Sequence, residues 1–499
     1  MRDRRVRSIA ILGGGAAGWM TAAALAKAVD PQLCRIDLIE SDEIGIIGVG
    51  EATIPTIHWF NQLLGLDEAE FMRETKATYK LGIEFRDWAR PGHAYFHPFG
   101  RFGGPNDGTA FHHRWIKARL EGLDTDLARY SLTTQAAKAG KFAFPARDPK
   151  TLLSTLGYAY HFDAGLYGRY LRAWAERRGV QRHEGKVTEI DQHPETGFVT
   201  TLHTDRGEAI SADLFIDCTG FRGLLIEQTL KTGFEDWSGW LPCDRALAVP
   251  CERSDRTTPY TTSTARPAGW QWRIPLQHRT GNGYVYASRF TSDDEAAALL
   301  LNNLDGAPLA EPRPIRFTTG RRREPWNKNV IAIGLSSGFL EPLESTSIHL
   351  IQSAIAKLLS LFPDRDCDPR LAERFNRLLL GEFEDIRDFL VLHYTETLGR
   401  TEPMWEWSRS VPVPESLADR KAHFIRAGRI VVSSDELFRE ASWLAVLVGQ
   451  GVAAEDYNPL TDSTSTEENR AYLDRLEGAI AAACAPMLGH DAHLQKLDR

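Results

Sequence analysis

An α/β fold is predicted for this chain, with a Rossmann-like dinucleotide-binding domain joined to a mostly helical subdomain. Three observations carry that expectation. The chain opens on a strand, a glycine-rich turn, a helix and a second strand. Two later apolar segments run into turns of similar kind. From Ser347 onward the pattern is helical for most of the remaining length.

The elements follow in order. Residues 8–12 form an apolar strand, Gly13 to Gly18 a turn, and Trp19 to Ala28 an alanine-rich helix; the strand Arg35-Ile36-Asp37-Leu38-Ile39 then ends in Glu40. Strand, helix and strand in this sequence make a βαβ unit. Tyr79 to Trp88 and the aromatic run Tyr95 to Phe102 read as strand and loop, Asp163 to Arg178 as an amphipathic helix, and Val187 to Ile190 with Val199 to Leu202 as a hairpin-like pair. The strand Asp213 to Asp217 leads into Cys218-Thr219-Gly220, and Val330 to Ile333 leads into Gly334-Leu335-Ser336-Ser337. Helices are expected over Ile348 to Phe362, Pro369 to Leu380 and Phe383 to Tyr394, and Ser463 to Glu468 has a capping-box start for a last helix. The tail from Gly489 is expected to fray. The β-rich middle, residues 185–330, should supply strands to the first half, so the nucleotide domain is discontinuous: 1–80 plus 160–346, with 81–159 plus 347–499 as the substrate subdomain.

At 499 residues the chain exceeds the roughly 250–300 residues of a single core, so two or more subdomains are expected. Its 42% hydrophobic and 25% charged residues are those of an ordinary globular protein, and a net charge of −8 argues against nucleic acid as a main partner. No apolar run reaches the ~18 residues that span a bilayer. The basic start Met1 to Arg7 is followed by a buried-strand pattern and not by a secretory core, and the 6 cysteines show no paired framework or Cys-x-x-Cys spacing. A reduced, cytoplasmic protein without structural metal is the expectation.

Gly13-Gly14-Gly15-Ala16-Ala17-Gly18 satisfies G-x-G-x-x-G between strand and helix, where glycines let the backbone approach a pyrophosphate and the helix N-terminus faces that anion. Glu40 is placed to accept the ribose hydroxyls. A second glycine-rich stretch, Gly48 to Pro55, includes Gly50, Glu51 and Ala52; it reads as a cover over a ring system or as a plain surface loop. Gly269-Trp270-Gln271-Trp272-Arg273-Ile274-Pro275 puts two indoles on one side of an extended segment that ends in proline. It reads as an aromatic wall at a sheet edge or as a core tryptophan pair.

Together these segments resemble the flavin-dependent halogenases of the tryptophan halogenase family. The likeness rests on Gly13 to Met20, Gly48 to Pro55, Thr78 to Ile83, Asp213 to Leu225, Gly269 to Pro275, and Gly334 to Ile348 with its Glu341-Pro342-Leu343-Glu344-Ser345-Thr346 core. It implies an FAD-binding domain of the flavoprotein monooxygenase type, with Val187, Leu335 and Ile348 as further cofactor contacts. In the family, a separate NAD(P)H-dependent flavin reductase delivers FADH2, and oxygen and a halide, chloride or bromide, yield hypohalous acid. A lysine, here Lys80, then positions that oxidant, or carries it as a haloamine, for attack on a small aromatic substrate. By resemblance Glu344 is the neighbouring carboxylate, Thr346 and Ser347 are the halide cradle, and Trp270 and Trp272 are the barrier that keeps substrate from the oxidant's source. The family usually has glycine where Ser347 stands. A homodimer is compatible with the likeness. A flavin monooxygenase hydroxylating an aromatic substrate is the alternative.

The substrate end departs from the pattern. His97 and Phe99 correspond to pocket residues, and Trp443 either stacks on the substrate or is a helix-core aromatic. Free-tryptophan halogenases carry a Tyr-Tyr pair and a glutamate ahead of that tryptophan, whereas this chain reads Val431 to Glu440 without the pair. A site lacking partners for an amine and a carboxylate disfavours the free amino acid. An unsubstituted indole, or an indole within a larger molecule, is expected instead.

Overall fold

Short apolar runs at Ser8–Leu12, Leu214–Asp217 and Val330–Ala332 form the middle of the first sheet. The computed structural model describes residues 4–43, 50–105 and 111–497; of the second glycine-rich stretch, Gly48 and Val49 lie outside them. The chain forms two compact units. One comprises residues 1–76, 162–238 and 317–384, the other 77–161, 239–316 and 385–499. The segment 239–316, expected in the nucleotide half, clusters with the second unit, and 347–384 with the first.

In the first unit the strand order is Trp326–Asn327, Val330–Ala332, Leu214–Asp217, Ser8–Leu12, Arg35–Glu40, Gln181–Glu184. All neighbours are parallel except the first pair. Neighbouring strands far apart in sequence make this sheet discontinuous along the chain. Its core gathers Ala10, Leu12, Ile39, Phe215, Val330 and Ala332. Helix Ala16–Ala28 begins at Ala16, earlier than Trp19, and packs on helices Ala164–Glu176 and Ser347–Ser360. The hairpin-like pair is present as Val187–Gln192 with Val199–Thr204, joined by Ala209–Ser211.

The second unit is built on seven strands in the order Arg313–Arg316, Arg245–Cys251, Thr280–Tyr286, Gly269–Pro275, Thr261–Arg266, Gly82–Arg86, Ala94–Pro98. The Trp-x-Trp segment is therefore an interior strand and not an edge. Thr261–Arg266 pairs with it on one side and Thr280–Tyr286 on the other. Pro275 is tolerated because it is the last paired position, opposite Thr280, where a missing N–H removes little. Helix Glu440–Gly449 lies against Ala94–Pro98, and a Cβ on Gly449 would come within 2.4 Å of the Tyr95 ring.

Two helices expected around Gly381 are one, Pro369–Thr395. Phe375, Leu379, Phe383, Ile386, Phe389 and Leu390 are buried along its length. Each buried apolar side chain contributes about 1.5–3 kcal/mol, against roughly 1 kcal/mol for one glycine in a helix. The capping box is present at Ser465 and Glu468, starting helix Thr466–Cys484. The expected frayed tail is docked instead. Leu488–Gly489 pairs with Lys141–Phe142, and His490 is buried with hydrogen bonds on both ring nitrogens. No described helix is long and apolar enough to cross a membrane.

Candidate active site

In the first unit the carboxyl ends of three neighbouring strands converge on the glycine turn. Gly13 has φ +111°, and a Cβ there would lie 2.3 Å from the Cys218 carbonyl oxygen. A Cβ on Gly14 would lie 1.5 Å from Glu40 Oε2, so the acid sits directly against the turn. A Cβ on Gly15, by contrast, would meet no heavy atom within 4 Å. The turn is thus packed tightly behind Gly13 and Gly14 and open in front of Gly15. Gly15 is the N-cap of helix Ala16–Ala28, which has no side-chain cap and no acidic residue in its first turn. Three conditions for an anion are met together: open space, free N–H groups and the positive end of the helix dipole.

Glu40 accepts from Arg182 Nε at 2.6 Å. Sequence reasoning missed Arg182, since nothing marks an arginine on a distant strand as the acid's partner. Asp217 organises the adjoining turn, accepting from the backbone of Thr219, Leu225 and Ile226 at 2.8–2.9 Å. Ser336 donates to the Asp217 carbonyl, which ties down the turn that carries Leu335. Gly334, with φ +80°, would place a Cβ 2.7 Å from that of Ala17 and 3.5 Å from Ile351. Leu335 is partly exposed, Ile348 is buried, and Val187 packs on the core cluster that contains Leu12 and Ile39. Glu51 lies on the short strand Gly50–Ala52; burial pushes its carboxyl up to about 7, although part of its surface faces solvent.

A second uncapped helix start lies in the same unit. After the turn Pro342–Glu344, Ser345 takes a left-handed conformation, φ +61°, and Thr346 becomes the N-cap of Ser347–Ser360 with no side-chain cap and no acidic first turn. The Thr346 hydroxyl is buried without a hydrogen-bond partner among the described residues. Glu341 and Glu344 are fully buried. One turn on, His349 links Thr56 Oγ1, at 3.0 Å, to Glu382 Oε1, at 2.7 Å. Burial alone would raise the Glu382 carboxyl, but His349 and Lys357 hold it down to about 2.

The second unit brings Lys80, His97, Phe99 and Trp443 onto one aromatic line. Lys80 is fully buried, with its ammonium 4.8 Å from the Phe99 ring centre, a favourable cation–π geometry. Phe99 lies 6.4 Å from His97, His97 5.8 Å from Phe389, and Phe389 4.9 Å edge-on from Trp443. Phe438 stacks on Phe389 at 3.9 Å. Neither phenylalanine was singled out from the sequence. Phe389 sits in a helical apolar stripe like any core residue, and Phe438 stands in the very stretch searched for a Tyr-Tyr pair. Trp443 is buried under the Arg420 guanidinium, 4.3 Å from its ring, which supports its helix-core reading more than an open stacking face.

Trp270 and Trp272 do point to one side, with ring centres 6.1 Å apart. Trp270 packs on Trp88, itself packed on Tyr394 and Trp405. Trp272 lies across Gly283, its register partner, where a Cβ would fall 2.0 Å from the indole. Lys80 also has an imidazole neighbour. Thr78 donates to the Pro275 carbonyl at 2.7 Å and so accepts from His161 Nδ1 at 3.0 Å, while His161 Nε2 accepts from Thr261 at 2.9 Å. Burial first, then the Lys80 charge, hold His161 well below the usual histidine range.

The family model described as Tryptophan halogenase matches residues 8–466. This chain belongs to that family. Tryptophan 6-halogenase ThaL of Streptomyces albogriseolus is 38% identical over 452 residues, covering 85% of this chain and 83% of its own. Two solved structures agree along the whole length. BrvH, a flavin-dependent halogenase from Brevundimonas sp. BAL3, has a TM-score of 0.96 at 45% identity over 100% of both chains. Xcc4156, a flavin-dependent halogenase from Xanthomonas campestris, has 0.95 at 44% over 99% of each. The chain is accordingly an enzyme of the flavin-dependent halogenase class, and that class uses FAD and halide. The glycine turn with its open, uncapped helix end fits the cofactor's pyrophosphate.

Proposed function

We propose that this enzyme takes reduced FAD from a separate NAD(P)H-dependent reductase and halogenates an indole-like arene with chloride or bromide, with Lys80 as the residue that presents the oxidant. The observation that carries the reading is the Lys80 ammonium, buried against Phe99 in an aromatic lining. When bound, the reduced flavin supplies the electrons with which oxygen and halide become an electrophilic halogen reagent. The pyrophosphate is held by the turn Gly13 to Gly18 and the first turn of the helix from Ala16, with Ala17 and Leu335 at its border and Glu40 on the sugar hydroxyls. The stretch Gly50 to Ala52 and residues Val187 and Ile348 complete the cofactor's surroundings. The N–H groups at Thr346 and Ser347 hold the halide.

Lys80 donates a hydrogen bond to the oxygen of hypohalous acid, which makes that oxygen a better leaving group and the halogen more electrophilic. The arene's π electrons form the carbon–halogen bond as the oxygen–halogen bond breaks. The departing hydroxide takes the Lys80 proton and leaves as water, the amine being reprotonated before the next turnover. The Glu344 carboxylate then accepts the ring proton as general base. Trp270 and Trp272 keep organic substrate from the oxidant's source. His97, Phe99 and Phe438 hold a flat ring by offset contact. Without a Tyr-Tyr pair in 431–440 the pocket offers little to grip a free amino acid, so indole itself or an indole in a larger molecule is the substrate class.

The test is Lys80→Ala, assayed with reductase, FAD, NADH, bromide and indole, with products read by mass spectrometry. Bromoindole should fall at least about a hundredfold, a general-catalysis effect, with FAD binding unchanged. Wild-type bromination by the variant would overturn the reading. Hydroxylated product at full rate without halide would establish the monooxygenase alternative.

A further inference from the structure

The segment that carries Lys80 is fixed along one edge by a residue more than 400 positions away in sequence. Thr78–Lys80 pairs with 159–161 on its inner side, Lys80 opposite Ala159. On its outer side Leu81 N–H donates to the Pro259 carbonyl at 2.7 Å. A continuing ladder would bring the Tyr79 N–H to the same loop two residues back. It does not reach. The His490 imidazole fills the gap: Tyr79 N–H donates to Nε2 at 3.1 Å, and Nδ1 donates to the Thr257 carbonyl at 2.8 Å. A backbone N–H can only donate and a carbonyl can only accept, so the ring must be neutral with its proton on Nδ1. Burial, the main cause, lowers His490 to about 4, which is consistent with that state. The imidazole is held in turn by its own backbone. His490 N–H donates to Gly140 O at 2.9 Å, Leu488–Gly489 pairs with Lys141–Phe142, and Phe142 stacks on Tyr79 at 4.0 Å.

We propose that His490 is a positioning residue for Lys80. Its ring locks the Thr78–Tyr79 peptide, one residue short of the lysine, as Pro259 locks the Lys80–Leu81 peptide after it, so that the ammonium is held at one place on the aromatic lining. This inference rests on the role given to Lys80 above. Without the ring, Tyr79 N–H loses its acceptor at Nε2, the strand edge relaxes, and the lysine loses its register against Phe99. Flavin binding, halide binding and oxidant formation do not use this segment and are left intact. The expected signature is therefore a loss of coupling: oxidant is still made, but less of it becomes halogenated arene.

The full-length variants His490→Ala, His490→Gln and Lys80→Ala are compared with wild type. The readouts are halogenated indole per hypohalite formed, the latter captured by a diffusible β-diketone, together with FAD affinity, bromide KM and melting temperature. For His490→Ala we expect product per oxidant at least about tenfold lower, with bromide KM and FAD affinity unchanged, and partial recovery in His490→Gln, whose amide can both accept and donate. Added imidazole should restore part of the coupling in His490→Ala. If His490→Ala does not fold, His490→Gln and its ratio decide. The inference is overturned if a folded His490 variant keeps the wild-type ratio while Lys80→Ala loses it, or if oxidant and product fall together. Should Lys80→Ala keep the wild-type ratio, it is the role of the lysine itself that fails.

Discussion

In the first unit the groups proposed to meet a ligand are main-chain N–H at two helix starts, Ala16 and Ser347. In the second the groups so proposed are rings and one ammonium, clustered on Lys80, His97, Phe99, Phe389 and Phe438. The two kinds of site obey different rules. A backbone site works only if side chains stay out of the way, so it is written in glycines and in missing caps. A side-chain site works by what is added, and the added residues are those that also fill cores. Substitutions should therefore act differently in the two units, and four measurements sharpen or break that contrast.

The largest effect is expected at Gly13. Gly13→Ala forces a side chain into φ +111° and against the Cys218 carbonyl. With strain and clash of about 3 kcal/mol, FAD affinity should drop roughly a hundredfold. Flavin-fluorescence titration reads it, and near-normal affinity would break the backbone-site half of the comparison.

Acid separates the units next. His490 lies at about 4 in the folded chain, below its ordinary value. Its contribution is present above about 6.5 and lost as pH falls toward 4, up to about 3 kcal/mol. Glu382, held down to about 2, keeps its contribution until pH falls below about 4.5 and loses it toward 2. Hydrogen exchange along a pH series should show protection around Tyr79 failing before protection around His349. The opposite order would contradict it.

Phe438→Ala removes the ring stacked on Phe389. The lost stacking of about 0.5–1.5 kcal/mol should raise the KM for indole up to about tenfold, with oxidant formation untouched. An unchanged KM would remove Phe438 from the pocket. The smallest effect belongs to Asp385, whose carboxyl is pushed up to about 6, by burial first and then by Glu436. A raised carboxyl costs stability as pH rises through its folded value. Asp385→Asn should slightly raise the melting temperature at pH 8 and leave it unchanged at pH 4; a lower value at pH 8 would refute the assignment.

The contrast also explains what could be read in advance. The glycine turn, Glu40 and the strands from 8, 35, 214 and 330 were legible because period, glycine spacing and strand ends are local. The wall of Trp270 and Trp272 was legible as a strand but not as an interior one, since pairing partners at 261–266 and 280–286 leave no mark on the segment itself. Gly381 looked like a break, yet a continuous stripe of buried residues overrode it. The docked tail was missed because a short polar end gives no sign that His490 will replace a missing ladder bond. Phe389, Phe438 and Arg182 needed distances that only a folded chain supplies.

Gly283 has a consequence of its own. Trp272 lies over residue 283 because the strand beside it carries a bare Cα at the facing position. A single methyl there would meet the Trp272 indole at 2.0 Å and the Leu247 carbonyl oxygen at 2.6 Å, so both the ring and the strand would have to shift. The seat of Trp272 is therefore set from the neighbouring strand, and a change at residue 283 reaches the indole while leaving the Trp-x-Trp signature untouched.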